Sequence, residues 1–191
     1  MIFGKSAVAV VSGGASGLGA ATARKFASVG LRIGIFDVNV AGGEALAQEL
    51  GGVFQCVDVA DPASVAAGFE SVVAKIGAPR IMINCAGIAP AIKTVSRGAP
   101  HDAEAFAKTI QINLIGSFNC ASQAATLMAA SDPCGPDGAR GVIVNTASVA
   151  AYDGQIGQIA YSASKGGIVG MTLPMARDLA DKGIRVCAVA P

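Results

Sequence analysis

The run SAVAVVSGGASGLG, residues 6–19, is apolar from Ala7 to Val11 and then breaks on glycines. A short run that is apolar at every position predicts a strand covered on both faces, since a strand wetted on one side would alternate. Gly13, Gly17 and Gly19 follow in a G-x-x-x-G-x-G spacing, and helical periodicity runs from Gly17 to about Val29. A strand that turns through glycines into a helix begins a β-α-β unit. The turn lets the backbone approach an anion and aims the positive end of the helix at it. No lysine accompanies these glycines, which excludes an ATP-type phosphate loop.

Outward from this run the same alternation repeats. RIGIFDV reads as a strand, AGGEALAQELG as a helix stopped by glycine, and GVFQCVDV as a third strand. Asp61-Pro62 starts a helix, with a carboxylate cap and a proline in the first turn, and Val65, Phe69, Val72, Val73 and Ile76 share one of its faces. RIMINCAG, GVIVNTAS and IRVCAVAP supply the fourth, fifth and sixth strands. Helical stretches fill about 102–130 and about 158–179. Right-handed crossovers then require an α/β fold: a doubly wound parallel sheet of the Rossmann type, helices on both faces, the chain ending after its sixth strand. Residues 1–191 read as one domain. Two irregular stretches remain, GIAPAIKTVSRGAPHD (87–102) and SDPCGPDGARG (131–141). The first leaves the carboxyl end of a strand, where ligands bind in such sheets.

Charged residues make up only 14% of the chain and hydrophobic residues 52%, with a mean hydropathy of +0.56, so much surface is expected to be covered, partly by partner chains in a homo-oligomer. A net charge of +1 without a basic cluster argues against nucleic acid. No run reaches the roughly 18 apolar residues of a membrane span, and the opening apolar stretch is too short for a secretory signal, so a cytoplasmic location is expected. Five scattered cysteines without a CxxC pair exclude a disulfide framework or zinc site; most lie in apolar runs as small hydrophobes, and Cys134 is the candidate reactive thiol. His101 is the single histidine, which excludes chemistry built on histidine clusters, and no metal is expected.

At the nucleotide end, Asp37 closes the second strand, where a carboxylate accepts both hydroxyls of an adenosine ribose and repels a 2'-phosphate. NAD is therefore favoured over NADP; the alternative is that Asp37 caps the next helix. Asp58, ending the third strand, is placed to approach the adenine. At the other end, Tyr161 and Lys165 of YSASK lie one turn apart on one helix face. A phenol titrates near pH ~10, and an adjacent ammonium favours the phenolate, which turns the pair into an acid/base. An ordinary surface contact has the same spacing. Ser148 ends the fifth strand at the same crevice, either to hold a carbonyl oxygen or as a turn serine.

Taken together, the glycine turn, Asp37, Ser148 and the Tyr161/Lys165 pair make the whole chain resemble the short-chain dehydrogenase/reductases. Asp58-Val59, NCAG at 84–87 and Asn113 also match that family's pattern. The resemblance implies NAD contacts from Ser12, Gly13, Ser16, Gly17, Leu18, Gly19, Asp37, Asp58, Val59, Asn84, Ala86, Gly87, Tyr161 and Lys165. It implies Tyr161 as catalytic acid/base, Ser148 as the group that orients the substrate oxygen, and Lys165 as the cation that tunes Tyr161 and binds the nicotinamide ribose. Asn113 would support a water linking Lys165 to solvent; otherwise it is a polar residue satisfied within a helix. The chain departs from the usual pattern at Ser12, where threonine is common, and at Cys85, where asparagine is common. At finer grain NCAGIAPAIKT and the stretch 145–180 resemble the type 2 3-hydroxyacyl-CoA dehydrogenases, which oxidise short 3-hydroxyacyl-CoA thioesters with NAD as tetramers.

That resemblance implies that Gln155 and Gln158, with Ser148 and Tyr161, contact the acyl group, and that Lys93 and Arg97 meet coenzyme A phosphates unless they are solvated loop charges. Gly166, Gly167 and Gly170 imply close helix packing, between subunits or within one, and Pro174 implies a kink. The family pattern continues past Pro191 into a substrate-covering segment and a seventh strand, so the native protein is expected to be longer and the 191 residues to be poorly active alone. Rival readings are a dehydrogenase acting on a steroid, another secondary alcohol or 3-oxoacyl carrier protein, and a non-catalytic nucleotide-binding subunit.

Overall fold

Strands and helices alternate as β1 (Val8–Ser12), α1 (Gly17–Ser28), β2 (Arg32–Asp37), α2 (Val40–Leu50), β3 (Val53–Cys56), α3 (Pro62–Ile76) and β4 (Pro79–Asn84). After the hairpin β5 (Val95–Ser96) and β6 (Ala99–Pro100) come α4 (Ala103–Ile110), α5 (Gly116–Ala129), β7 (Gly141–Thr146), α6 (Ile159–Asp178) and β8 (Ile184–Val189). The computed structural model describes residues 7–134 and 136–191. Ser6, where the first strand was expected to begin, and Gly135, in the 131–141 loop, lie outside them.

The large sheet has six parallel strands in the order β3-β2-β1-β4-β7-β8. The chain winds outward from β1 to β3, then returns across β1 to build the other half, so the connections diverge at the carboxyl ends of β1 and β4. A ligand crevice forms at such a reversal. Both faces are covered for the reason legible in β1. Val8 and Val10 join Phe36, Met82 and Ile143 against α3 and α5, whereas Ala9 and Val11 join Ile33, Ile35, Ile81 and Ile83 against α1 and α2. Phe36 meets Phe69 of α3 edge-on at 4.9 Å, both fully buried, each worth about 1.5–3 kcal/mol of apolar burial.

Asp61 caps α3 as expected, accepting from Ala63 N, with Pro62 in the first turn. Elsewhere the structure corrects the reading. β3 stops at Cys56, leaving Val57 to Val59 as a loop over the crevice. The stretch 87–102 is not wholly irregular: β5 and β6 pair through a tight turn in which Arg97 (φ 52°) and Gly98 (φ 79°) are both left-handed. The helix expected across 102–130 is interrupted by a π turn, Gln111–Ile115, with Asn113 inside it. α6 runs through Pro174 without ending. β8 alternates between covered Ile184 and exposed Arg185, so it is not apolar-covered on both sides as β1 is. Of the cysteines only Cys120 is fully buried, and burial pushes its thiol up to about 12; Cys56 and Cys187 are exposed.

The α6 glycines divide. A side chain at Gly167 would strike Leu114 of the π turn at 2.6 Å, so this glycine serves packing within the chain. Gly166 and Gly170 face open space, beside exposed Leu173.

Candidate active site

The crevice, about 360 Å³, is lined by Ser16, Gly17, Leu18 and Gly19 on one side, Asp37, Asp58 and Val59 on the second, and Cys85, Ala86 and Gly87 on the third. Gly13 turns with φ +64°, and a side chain there would come within 2.6 Å of Ala86 N, so only glycine lets the turn pass the end of β4. Gly17 (φ +51°) has open space where a side chain would stand. Ser16 precedes α1 without capping it and no acidic residue lies in the first turn, so the orphan N–H groups of a 12-residue helix meet the crevice uncompensated. That cradle fits a dinucleotide pyrophosphate.

Asp37 ties this turn to β2. Its Oδ2 accepts from Ala15 N at 3.0 Å and its Oδ1 from Asn39 N at 2.9 Å. The cap of α2 is Asn39, which accepts from Gly42 N at 3.1 Å, so Asp37 is not spent on that helix. A carboxylate so oriented keeps lone pairs for ribose hydroxyls. Asp58 is exposed at the rim and accepts from Ala60 N.

Ser12 and Asn84 do not line the crevice; they lie beneath it, 1% and 2% exposed. Ser12 Oγ donates to Asn84 Oδ1 at 3.2 Å, and Asn84 Nδ2 donates to Asn145 Oδ1 at 2.8 Å and to Ser117 O at 3.1 Å. Strand register sets Ser12 beside Asn84 and Asn84 beside Asn145, so a chain of buried polar side chains, one hydroxyl and two amides, crosses the carboxyl ends of three central strands. Asn145 escaped the sequence reading. Its Nδ2 is buried without a protein partner among the described residues. The available signal was a polar residue at matched position near the end of three apolar strands.

Tyr161 and Lys165 stand on the first turns of α6. Lys165 is 4% exposed, its Nζ donates to Thr146 O at 2.5 Å, and it lies 5.5 Å from the Tyr161 ring centroid. Burial holds this ammonium below the ordinary lysine value, opposed by the nearby Cys85 thiol. Cys85 itself is pushed up by burial, opposed by its contact with the Thr146 hydroxyl at 3.6 Å and by the Lys165 charge. Ser148 Oγ accepts from Ala150 N at 3.2 Å and so caps the short turn after β7, leaving its own O–H to donate.

Asn113, fully buried, accepts from Ile88 N at 2.8 Å and donates to Ile88 O at 2.8 Å and Ser164 Oγ at 3.0 Å. It thus clamps the loop that leaves β4. A second hollow, about 660 Å³, holds Lys93, Tyr152, Gln155, Gln158 and Ser162, with Gln158 Oε1 accepting from Gln155 N at 2.9 Å. Arg97 is not part of it but sits at the exposed hairpin turn.

Ser148, Tyr161 and Lys165 line neither hollow; Lys165 borders the first, and Ser148 and Tyr161 adjoin residues of the second. Gly87, on the crevice wall, is the near neighbour of Lys165 Nζ and Asn113 Oδ1, while Ala150 and Ser162, on the second hollow, adjoin Ser148 and Tyr161.

A sequence model of the short chain dehydrogenase family matches residues 7–191. The chain is 50% identical to 3-hydroxyacyl-CoA dehydrogenase type-2 of Drosophila melanogaster, over 98% of this chain and 74% of that protein. To its Homo sapiens counterpart it is 49% identical, over 98% and 73%. Its fold is similar to the crystal structure of 3-hydroxyacyl-CoA dehydrogenase type-2 from Mycobacterium avium: TM-score 0.92, 43% identity, 97% of this chain and 74% of that one. Among the described residues no helix is long and apolar enough to cross a membrane.

Proposed function

The chain belongs to the short-chain dehydrogenase family, and from that premise we propose that it interconverts 3-hydroxyacyl-CoA and 3-ketoacyl-CoA with NAD, as a cytoplasmic homo-oligomer. The observation that carries the reading is a buried ammonium, Lys165, 5.5 Å from the Tyr161 ring and bordering the wall of the glycine crevice. A bound nicotinamide supplies the hydride acceptor. The α1 N–H groups hold the pyrophosphate and Asp37 holds the ribose, while its charge disfavours a 2'-phosphate.

Tyr161 removes the proton from the substrate hydroxyl in the oxidative direction and returns it in the reductive one. Lys165 stabilises negative charge on the phenol oxygen at that moment, worth more here than at a wetted surface because the ammonium is desolvated. Ser148 donates its free O–H to the same substrate oxygen, whose position Ser148 and Tyr161 then fix together. In the second hollow Gln155 and Gln158 contact the acyl group and Lys93 meets a coenzyme A phosphate; similarity to proteins named for 3-hydroxyacyl-CoA supports that substrate class. Open space at Gly166 and Gly170, with Phe118 of α5 and Leu173 of α6 exposed, supports oligomer contacts on these helices.

The test is turnover by the full chain with NAD and NADP on short 3-hydroxyacyl-CoA thioesters, a steroid alcohol and 3-oxoacyl carrier protein. NAD-linked oxidation of the thioesters is expected to dominate. Preference for another alcohol would overturn the substrate, and NAD binding without turnover would favour the nucleotide-binding subunit.

A further inference from the structure

Ser164 is fully buried and belongs to neither hollow. Its hydroxyl accepts from Asn113 Nδ2 at 3.0 Å and donates to the carbonyl of Tyr161 at 2.7 Å. One oxygen therefore bonds two packed pieces to each other: the first turn of α6, which carries Tyr161, and the π turn, whose Asn113 grips Ile88 through both its amide atoms. The two pieces approach closely here because Gly167 admits Leu114. The hydroxyl hydrogen is committed to Tyr161 O, and among the described residues Asn113 has no other acceptor for its second N–H.

We propose that Ser164 is a positioning residue: through Asn113 it latches the Tyr161 turn to the loop at Ile88, and so fixes the phenol relative to the crevice wall at Gly87. Ser164 touches no reacting atom in this role. The proposal rests on the dehydrogenase reading for its effect on rate, but not for its effect on the aromatic ring. Displacement of a reacting group by about 1 Å is enough to cost ~10²-fold. A shift of part of that size, from loss of one latch, is expected to lower kcat about tenfold with KM within twofold.

The experiment compares Ser164→Ala, Ser164→Thr, Asn113→Ala and the Asn113→Ala/Ser164→Ala double variant of the full chain. Rates are measured in the wild-type background. Near-ultraviolet circular dichroism is measured with Tyr152→Phe added throughout, which leaves Tyr161 as the one tyrosine in a chain without tryptophan. Expected are a reduced Tyr161 signal and the kcat loss in Ser164→Ala, recovery of both in Ser164→Thr, and a double variant no worse than Asn113→Ala alone, because both remove the same bond. A Ser164→Ala protein that keeps its ring signal and rate, losses that multiply in the double variant, or a rate loss that follows global unfolding each overturns the proposal. If the parent protein turns over no alcohol, the function falls while the ring signal still decides Ser164. If Ser164→Thr fails to fold, the double-variant comparison still decides.

Discussion

The nucleotide end and the chemical end of the crevice are built on opposite plans. The first is backbone: a glycine turn, an uncapped helix start and one carboxylate, within 25 residues of chain from Gly13 to Asp37, on strands buried from both faces. The second is side chains carried by segments far apart, with Asn113 bonded 25 residues back to Ile88 and 51 forward to Ser164, and Lys165 bonded 19 back to Thr146. A site made of backbone tolerates changes of side chain but not of chain path. A site made of side chains tolerates neither a lost donor nor a lost neighbour.

Exchanges at the chemical end should therefore alter rate more than nucleotide affinity, and exchanges at the nucleotide end the reverse. Tyr161→Phe tests this most severely. Loss of the acid/base should lower kcat by ~10²–10⁴-fold while NAD affinity, read by calorimetry, stays within a few-fold. A variant that retains turnover would end the case for the phenol.

Gly13→Ala attacks the other plan. A β-carbon at 2.6 Å from Ala86 N, on a residue with φ +64°, should cost about 2–5 kcal/mol by urea unfolding, from overpacking and left-handed strain together. Nucleotide affinity should fall with it, and an unchanged unfolding midpoint would show that the turn has room.

Asp37→Ala is gentler. Loss of a charged acceptor for the ribose should weaken NAD by ~10–100-fold, narrow the preference over NADP, and leave kcat at saturation nearly unchanged. A fall in kcat instead would blur the division between the two ends.

The smallest effect concerns Lys165. Burial lowers its folded-state value below the ordinary 10.5, so the unfolded chain holds that proton more tightly. Stability from this group then rises with pH, from the depressed folded value up towards the ordinary one, as the native penalty is relieved. The unfolding free energy of Lys165→Met relative to the unmodified protein should accordingly become less favourable to the variant as pH rises towards the ordinary lysine value. A difference that does not change across that window would mean the ammonium is not penalised by burial.

The two plans also explain what could be read without coordinates. Residues 7–37 announce their fold and anion cradle because every instruction is local: apolar continuity, glycine spacing, a carboxylate at a strand end. That Tyr161 and Lys165 share one helix face was legible for the same reason, since they are one helical turn apart, but the acid/base role came from the resemblance to the family. Ser12 and Asn84 match the family pattern by position, yet their side chains lie under the crevice floor, because alternation in a strand sends one residue to the crevice edge and its neighbour into the core. The π turn at Gln111–Ile115 was not read from the sequence, since its one extra residue rotates the face by about 100° at a single point while the helix on either side keeps ordinary periodicity.

The succession of strands and helices, the helix that starts at Gly17 and the spacing of Tyr161 one turn before Lys165 were set by the chain alone, because each depends on residues within a turn or a strand of one another. Only the tertiary structure brought Asn84 against Asn145, turned Asn113 onto Ile88 and Ser164, and buried Lys165 beside Tyr161. Those contacts depend on strand register and helix approach, which distant segments set jointly and no local pattern records.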